Sequence, residues 1–561
     1  MTLRGLLLAT VMTLSAASSS YGQDQLSDTA LKAEIRTLQE AVAAGPVSAP
    51  LLSRLSQAYA VANQPEAALS AIEGALILAP QDPAYLRASA ILATWAAHYD
   101  RARDSYRQLA KVQPLELDVT LSYARVSAWA GDTDNAASEY RKYLAARPDA
   151  AAVWLELART ESWRGNYASA LNALSLYRER FGESPAYTSE LAGVLASSGR
   201  PSRAQDLLTP LLAAAPDSSE LTFTRTVALA HQHRARDAFD SLATLRTLSS
   251  DATSIRAAER VLRTEFASSA EPRLSVYSDS DHLEVQRFAP MVTLSFSTGT
   301  RVSGGYERTR LEAAIGSGLE QLDGASTAEV EQVSVGLAQK AGRVSFSGQL
   351  GQATVEGQER TTYGVGVQVR PLDTLFLAAE RMQGLFVVSP RTVGLGMTQV
   401  AHRLQTEWTI GLRYHVSVEA THQRLSDGNE RLEMTVSPRR TMARRARFNL
   451  DLGLSAYRLE TTRNLDNGYY DPRRYEYYAI TALPYFKVHE NVGLALTLGG
   501  GAQRDTTSPT FHFGGTVSGE ATFGIYAPWL LKVNGSVTTN QRLESGAFRG
   551  LGGGVALVRR F

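Results

Sequence analysis

The sequence of 561 residues contains no cysteine. Disulfides, cysteine-ligated zinc, iron–sulfur clusters and lipidation of an N-terminal cysteine are therefore excluded, and stability has to come from packing. An excess of charge is missing as well, because 57 basic residues oppose 56 acidic residues. A protein that binds nucleic acid normally shows a basic excess or stripe, so this balance argues against a nucleic-acid partner.

Signatures of catalysis are also missing. The sequence has no G-x-S-x-G, H-E-x-x-H or G-x-x-x-x-G-K motif, and its nine histidines show no metal-ligand spacing. We therefore expect no enzymatic activity, no cofactor and no metal. The alternative is a barrel phospholipase whose catalytic Ser and His lie on separate strands, an arrangement that a local sequence motif does not reveal.

Long apolar runs are confined to the N-terminus. Residues 1–22 hold one Arg, a short apolar run and a small-x-small triplet that ends at Gly22. This layout predicts a secretory signal peptide cleaved near Gln23, because the run is shorter than the ~20 residues that a spanning helix needs. An uncleaved anchor is the alternative.

Alanine recurs every 34 positions in the first half of the chain. Proline recurs at the same spacing where a helix would stop, and glycine where a turn would lie. The pattern resembles the tetratricopeptide repeat, a 34-residue helix–turn–helix unit that buries its apolar face only by stacking. It predicts a helix within 23–48, six periplasmic repeats over 49–250 and a linker over 251–270. The alanines are Ala68, Ala102, Ala136, Ala170, Ala204 and Ala238.

Tryptophan follows the same period at Trp95, Trp129 and Trp163, a position that in this family usually faces the groove of the array. Arg125 and Arg159 each precede a Trp by four residues, so each could lie over its ring on one helix face. A repeated Arg–Trp pair of this kind, which we call an Arg–Trp step, would suit binding of an acidic peptide or a sugar polymer. The same pattern also fits rings that only wedge neighbouring repeats together.

The apolar period falls from 3.6 to 2 in the second half. Segments of about ten residues alternate apolar with polar or small residues up to the last position, and this length fits tilted strands that cross a bilayer. The sequence therefore predicts an α + β chain in which the helical superhelix precedes a transmembrane antiparallel β-barrel of about sixteen strands over 271–561. The final strand would pair with the first near residues 273–276 and thereby remove both sheet edges.

The same alternation assigns polar side chains to the inside of the barrel. A polymer rich in hydroxyls needs replacement hydrogen bonds and flat faces there, without a site that holds it tightly. The candidates for this path are Asn449, Asp451, Tyr457, Glu520, Lys532 and Asn534.

A long polar and aromatic loop, expected outside the cell, contains the sequence NGYYDPRRY over residues 467–475. It resembles the Asn-Gly-Tyr-Phe-x-Pro-x-x-Tyr segment of the outer-membrane cellulose export porins, with Tyr470 in place of Phe. Tyr469, Pro472 and Tyr475 complete the match. The resemblance implies an exporter of cellulose, poly-N-acetylglucosamine or a similar biofilm exopolysaccharide, which works without a cofactor.

The resemblance also implies the partners of such an exporter. They are the exopolysaccharide chain, outer-membrane lipid, the barrel assembly machinery and the periplasmic or inner-membrane parts of a polysaccharide synthase. The terminal Phe561 resembles the C-terminal aromatic signal for barrel assembly. The alternative function is an anchored repeat scaffold or surface receptor whose barrel does not conduct.

Overall fold

The computed structural model describes residues 28–506, 510–542 and 546–561. The predicted signal peptide, residues 1–22, lies outside the described residues. The chain divides into two compact units, Met1–Trp163 and Arg164–Phe561. None of the helices in the described part is long and apolar enough to cross a membrane.

Between residues 28 and 266 the chain is helical. They are α1 (Asp28–Ala44), α2 (Ala49–Val61), α3 (Pro65–Leu78), α4 (Pro83–Trp95), α5 (Tyr99–Val112), α6 (Leu117–Trp129), α7 (Thr133–Ala146), α8 (Ala151–Trp163), α9 (Tyr167–Phe181), α10 (Pro185–Ser197), α11 (Pro201–Ala214), α12 (Ser219–His231), α13 (Ala235–Leu248) and α14 (Ala252–Phe266).

The alanine period marks the positions where the helices have no room for a larger side chain. All six alanines that recur every 34 residues, from Ala68 to Ala238, are 0% exposed. Local signals start the helices: Pro83 and Pro185 occupy first-turn positions, and the side chains of Asp82 and Ser184 accept backbone N–H bonds there. The 34-residue spacing therefore encodes both the packing and the helix boundaries.

The predicted linker over 251–270 is mostly a helix, α14. Asp251 caps it by accepting from the N–H groups of Thr253 and Ser254. Ala258 and Leu262 pack into one core cluster with α12 and α13. The segment lies outside the 34-residue period, and therefore the repeat pattern gave no sign of it.

One turn position in each repeat has a positive φ. The slot holds Gly131 (φ 77°), Gly165 (φ 75°) and Gly199 (φ 78°). In the other three repeats the same slot holds Asn63, Ala97 (φ 61°) and His233. Glycine adopts this conformation freely, whereas a residue with a Cβ is strained by about 1 kcal/mol.

We therefore expect Ala97→Gly to raise the free energy of unfolding by about 1 kcal/mol, because it relieves strain at Ala97. Urea unfolding of residues 23–163, followed by circular dichroism, would measure the change. The matched control is Ala96→Gly, since Ala96 has φ −75° and gains nothing from glycine. Equal effects of the two substitutions would contradict this account.

The described residues after 266 form a sheet of sixteen strands, two of which are interrupted. They are β1 (Ser269–Glu271 and Arg273–Asp279), β2 (Leu283–Phe288 and Met291–Ser295), β3 (Thr300–Ala313), β4 (Thr327–Ala341), β5 (Val344–Val355), β6 (Gln358–Leu372), β7 (Leu375–Leu385), β8 (Thr398–Ile410), β9 (Tyr414–Leu425), β10 (Glu430–Arg444), β11 (Phe448–Thr461), β12 (Tyr475–His489), β13 (Val492–Asp505), β14 (His512–Phe523), β15 (Trp529–Arg542) and β16 (Gly546–Arg560). A short helix, α15 (Pro390–Gly394), lies between β7 and β8.

The sheet closes on itself as a barrel. Each strand pairs antiparallel with the next, and β16 returns to β1, where Ala556 faces Arg273 and Gly554 faces Ser275. The interruptions in β1 and β2 fall at Pro272 and Pro290, which have no N–H to donate to a ladder. The predicted fold class, a helical array followed by a closed barrel of sixteen antiparallel strands, is confirmed.

The two faces of the barrel differ in chemistry. Outward positions are apolar and exposed, as Val335 on β4, Leu350 on β5 and Leu454 on β11 illustrate. Short turns of two to five residues join the strands at the end that adjoins α14, whereas most of the longer connections lie at the opposite end. We call these ends the inner mouth and the outer mouth.

Candidate functional site: the barrel lumen

The register places all six polar candidates on the inward face. Glu520 pairs with Asn534, and Lys532 pairs with Ala556, which is buried inside. On β11, Asn449 and Asp451 share the inward face with Tyr457. A period of two fixes the face of every residue in a strand, so the alternation alone located these side chains.

Three tyrosines gather inside the outer half of the barrel. The ring of Tyr475 lies 5.9 Å from that of Tyr457 and 6.1 Å from that of Tyr470, between centroids. Each hydroxyl has a polar partner: Tyr457 donates to Glu433 (3.1 Å), Tyr470 to Asp505 (2.9 Å) and Tyr475 to Gln503 (2.6 Å). These bonds hold the rings in place. We call Tyr457, Tyr470 and Tyr475 the tyrosine cluster.

Other inward tyrosines lie across glycines of the adjacent strand. A Cβ at Gly493 would meet the hydroxyl of Tyr485 at 2.5 Å, and one at Gly550 would meet the hydroxyl of Tyr277 at 3.0 Å. A larger residue at either position would push the tyrosine ring away from the wall. The side chains of Tyr277 and Tyr485 are partly exposed, so the rings remain accessible from the lumen.

Tyr277, Tyr477 and Tyr485 are lumen residues that the sequence interpretation missed. Tyr477 faces inward from β12 and donates to the carbonyl of Gly514. The missed signal was a pair of inward positions, with Tyr on one strand and Gly on the next. It becomes readable only when the register between strands is known.

The wall formed by β3 to β6 carries small polar groups in place of rings. Ser303, Ser334 and Gln349 face inward, and glycine stands at inward positions between them. The added Cβ of Gly336 would lie 2.5 Å from the hydroxyl of Ser303, which shows how closely this wall is packed. The lumen thus offers hydroxyl and amide groups on one wall and aromatic faces on the other.

Ion pairs line the wall in the middle and outer parts of the lumen. Arg403 contacts Glu419 at 2.8 Å, and Arg431 contacts Glu433 at 2.8 Å. Arg287 contacts Glu307 at 3.1 Å. Within the described ranges, no three His, Asp or Glu side chains come together as metal ligands would.

Three long connections narrow the outer mouth, namely residues 314–326, 386–397 and 462–474. Val393 of α15 packs with the inward residues Leu311 and Val330, so the second connection folds into the barrel. Arg391 fastens it to the first, because its Nε donates to the carbonyl of Glu320 at 3.0 Å.

The tyrosines of the predicted loop divide into two roles. Tyr469 is buried against Phe386, with their ring centroids 5.3 Å apart, and its hydroxyl donates to Asp427 at 2.7 Å. Burial raises the pKa of the Tyr469 hydroxyl above its usual range. Pro472 is also buried, and Tyr475 begins β12 and so does not belong to the loop. The loop is therefore shorter than predicted, and of its residues Tyr470 joins the tyrosine cluster.

At the inner mouth, the last helices are bonded to the barrel turns. Asp373, in the turn between β6 and β7, accepts from the backbone N–H (2.8 Å) and the hydroxyl (2.6 Å) of Ser202 in the first turn of α11. Lys340 donates to the carbonyl of Gln232 at the end of α12, at 2.8 Å. Arg301 donates to the carbonyl of Glu265 in α14, at 2.9 Å. A carboxylate thus meets a helix N-terminus and cations meet helix C-termini, which complements the helix dipoles.

The helices contact the barrel on opposite sides of the opening. The turn that holds Asp373 is eight strands away from the turn that holds Tyr526, and the guanidinium of Arg260 in α14 lies 5.5 Å from the Tyr526 ring centroid. In a ring of sixteen strands, eight strands are half of the circumference. Residues 201–266 therefore span the inner mouth.

The predicted Arg–Trp steps are not all present. The guanidinium of Arg125 makes two bonds to Glu156, at 2.9 and 2.8 Å, and does not cover Trp129. These bonds hold the pKa of Arg125 above its usual range. Trp129 lies 5.4 Å from the ring of Tyr99 and is partly exposed, and Trp95 packs against the core. Exposed Trp163 remains a candidate groove residue, as does Arg159.

Two family models of the tetratricopeptide repeat match the helical part of the chain, one over residues 96–151 and the other over residues 128–192. This region is a tetratricopeptide repeat array. A search of curated protein sequences finds no match.

Solved structures give likenesses of low identity. A bacterial polysaccharide outer-membrane secretin is 13% identical, with a TM-score of 0.43, over 52% of this chain and 98% of that chain. A tetratricopeptide repeat protein from Parabacteroides merdae is 15% identical, with a TM-score of 0.34, over 46% and 98%. CdiB from Acinetobacter baumannii is 8% identical, with a TM-score of 0.33, over 52% and 60%.

Proposed function

We propose that this protein is an outer-membrane porin that exports an exopolysaccharide, cellulose or a similar biofilm polymer, through the barrel lumen. The observation that carries the proposal is the chemistry of the inward face. Tyrosine rings held by hydrogen bonds face a wall of hydroxyl and amide groups, within a barrel whose outward face is apolar.

This arrangement suits a chain of sugars. A sugar ring that leaves water needs new hydrogen bonds for its hydroxyls and a flat surface for its apolar face. The lumen supplies both, with hydroxyl and amide groups on one wall and tyrosine rings on the other. Translocation requires that the polymer enter easily and also leave.

The outward face supports placement in a membrane. Exposed aromatic residues lie near the inner ends of strands, namely Trp408, Tyr414, Phe523 and Trp529. Aromatic girdles and an apolar band are characteristic of membrane barrels. Arg559 faces outward among them, and its guanidinium lies 4.9 Å from the centroid of the Trp529 ring. An Arg side chain at a membrane interface costs little free energy.

In this proposal the repeats lie in the periplasm and dock the polysaccharide synthase or the enzymes that modify the polymer. Their groove would present Trp163 and Arg159. Synthesis elsewhere drives the movement, so the porin itself needs no cofactor.

Replacing two rings of the tyrosine cluster should weaken sugar binding in the lumen. We expect the double variant Tyr457→Ser/Tyr475→Ser to shorten the dwell time of a cello-oligosaccharide about tenfold or more, since each ring contributes about 1 kcal/mol of contact. Current recordings in planar bilayers would measure the dwell time. Tyr478→Ser is the matched control, because Tyr478 lies on the outward face of β12. An equal reduction of the dwell time in the double variant and in the control would show that the tyrosine cluster does not bind the sugar.

The function itself is tested by deleting the gene and analysing the extracellular glycan by linkage. Loss of one polymer would support export and would identify the substrate, whereas unchanged polymer output would refute it. A large single-channel conductance of the purified protein is also expected.

A second function has one observation in its favour. Helices span the inner mouth and folded connections narrow the outer mouth, as they would in an anchored scaffold or receptor with a non-conducting barrel. In that case the purified barrel would carry no current and gene deletion would leave the glycan unchanged.

A further inference from the structure

The inner half of the lumen carries cations that have no carboxylate partner. Seven inward Arg and Lys side chains form no ion pair with another residue of the described ranges. The inward acids of this half are fewer. Glu271 and Asp451 are paired with Arg273 and Arg444, and Glu407 and Glu520 accept hydrogen bonds from Gln405 and Thr522. The seven cations are Arg301, Lys340, Arg370, Arg439, Lys487, Lys532 and Arg560.

The outer half differs. Of its inward arginines, Arg287, Arg403 and Arg431 each contact a glutamate, as described above, and Arg360 lies at the outer end of β6. Asp279, Glu380 and Asp505 add further inward carboxylates. The inner half is therefore basic and the outer half is balanced or acidic, although the whole chain is nearly neutral.

Three of the cations meet at one cavity. Arg301, Lys340 and Arg370 line a space of about 300 Å³ between the barrel wall and the helices, together with His233 and Phe266. Glu265, the nearest acid from the helices, contacts His233 at 3.2 Å. The three cations thus outnumber this nearby carboxylate, which acts on Arg301 and Lys340 while it is bonded to His233.

The helix contacts of Arg301 and Lys340 do not use all of their donors. Each gives one N–H to a backbone carbonyl, whereas an ammonium has three donors and a guanidinium has five. Arg370 lies over the ring of Phe376, 4.8 Å from its centroid, which leaves the edge of its guanidinium available. Donors remain for an anion in the cavity.

We propose that the inner mouth binds anionic groups, such as carboxylate or phosphate, that are carried by the transported polysaccharide, with Arg301, Lys340 and Arg370 as the first contacts. This inference rests on the proposed transport function and restricts the substrate to biofilm glycans with anionic substituents, which excludes unmodified cellulose. A basic entrance concentrates a polyanion from solution. Cations spread along the inner half hold it loosely, and the acidic outer half favours its release.

The test compares two oligosaccharides of the same length on the purified full-length protein in planar bilayers. Oligogalacturonate carries one carboxylate per sugar, and cello-oligosaccharide is neutral. Added at the helix side, oligogalacturonate is expected to block the current at a concentration at least tenfold lower. Equal blocking concentrations would overturn the inference while leaving the transport function intact. No block by either sugar would count against transport itself.

Removing the positive charges then tests which residues form the anion-binding site. The triple variant Arg301→Gln/Lys340→Gln/Arg370→Gln should raise the blocking concentration of oligogalacturonate at least tenfold and leave that of cello-oligosaccharide unchanged. Arg360→Gln is the matched control, since it removes an inward cation at the outer end of β6. An unchanged response of the triple variant would overturn the assignment.

Two further experiments distinguish binding of the polymer from two other effects, namely loss of the helix contacts and binding of small anions. Arg439→Gln/Lys532→Gln removes inner-half cations that make none of the helix contacts described above, and it should raise the blocking concentration at least threefold. No shift in this variant would contradict the role of the inner half. Inorganic phosphate at the same charge concentration should not block. Block by phosphate would assign the site to free anions and overturn its assignment to a polymer.

Discussion

Removal of Phe561 is expected to lower the amount of inserted barrel at least tenfold while leaving a secreted protein with folded repeats. Phe561 follows the last strand, its side chain is 62% exposed, and its backbone N–H donates to the carbonyl of Ser268 at 3.0 Å. The loss of one such bond costs only about 1 kcal/mol. The expected failure is therefore one of recognition by the assembly machinery and not of stability.

Two measurements separate these causes. In cells, the membrane fraction and its heat-modifiable mobility on a gel would report insertion. In detergent, the urea-unfolded variant should refold to a barrel with nearly normal yield. Phe561→Trp keeps a terminal aromatic ring and should insert normally. Normal insertion of the truncated chain, or its failure to refold in detergent, would contradict a signal role for Phe561.

Locking the helices onto the inner mouth is expected to stop export. The chain has no cysteine, so Ser202→Cys/Asp373→Cys creates one defined pair at a site where the native side chains lie 2.6 Å apart. Helices that span the opening must move for a polymer to pass. The polar contacts that hold them are each worth only a few kcal/mol or less, so they can open reversibly. A disulfide would prevent that movement.

We expect extracellular polymer to fall at least tenfold under oxidising conditions and to recover when a reductant is added. Each single cysteine variant is the control, since it weakens the contact without locking it. Full cross-linking with undiminished export would show that the polymer passes beside the helices, and the inner mouth would then be a permanent part of the path.

The sequence was informative wherever a period determined the geometry. The 34-residue spacing of Ala68 to Ala238 predicted the buried helix crossings, and the alternation on β11 and β14 put Asn449 and Glu520 inside. Both periods are local properties of the chain. They required no knowledge of which distant segments meet.

Contacts between distant segments were not predictable. Asp373 and Ser202 are 171 residues apart, and nothing in either local sequence indicates their pairing. Arg125 precedes Trp129 by one helical turn, yet its guanidinium binds Glu156 on another helix, because a carboxylate offers two charged hydrogen bonds that a ring does not. The match of Tyr469 to the export-porin segment likewise did not indicate that its side chain is buried against Phe386.

The uniform spacing of the buried alanines also makes the number of repeats an adjustable property. Excising residues 83–116 would join two segments in the same phase, since Pro83 and Leu117 begin equivalent helices. Units that contact only their neighbours contribute additively to stability, so one can be lost without rebuilding the others. The length of the array can therefore change in steps of one repeat. It can be matched to the distance of a binding partner while the barrel stays the same.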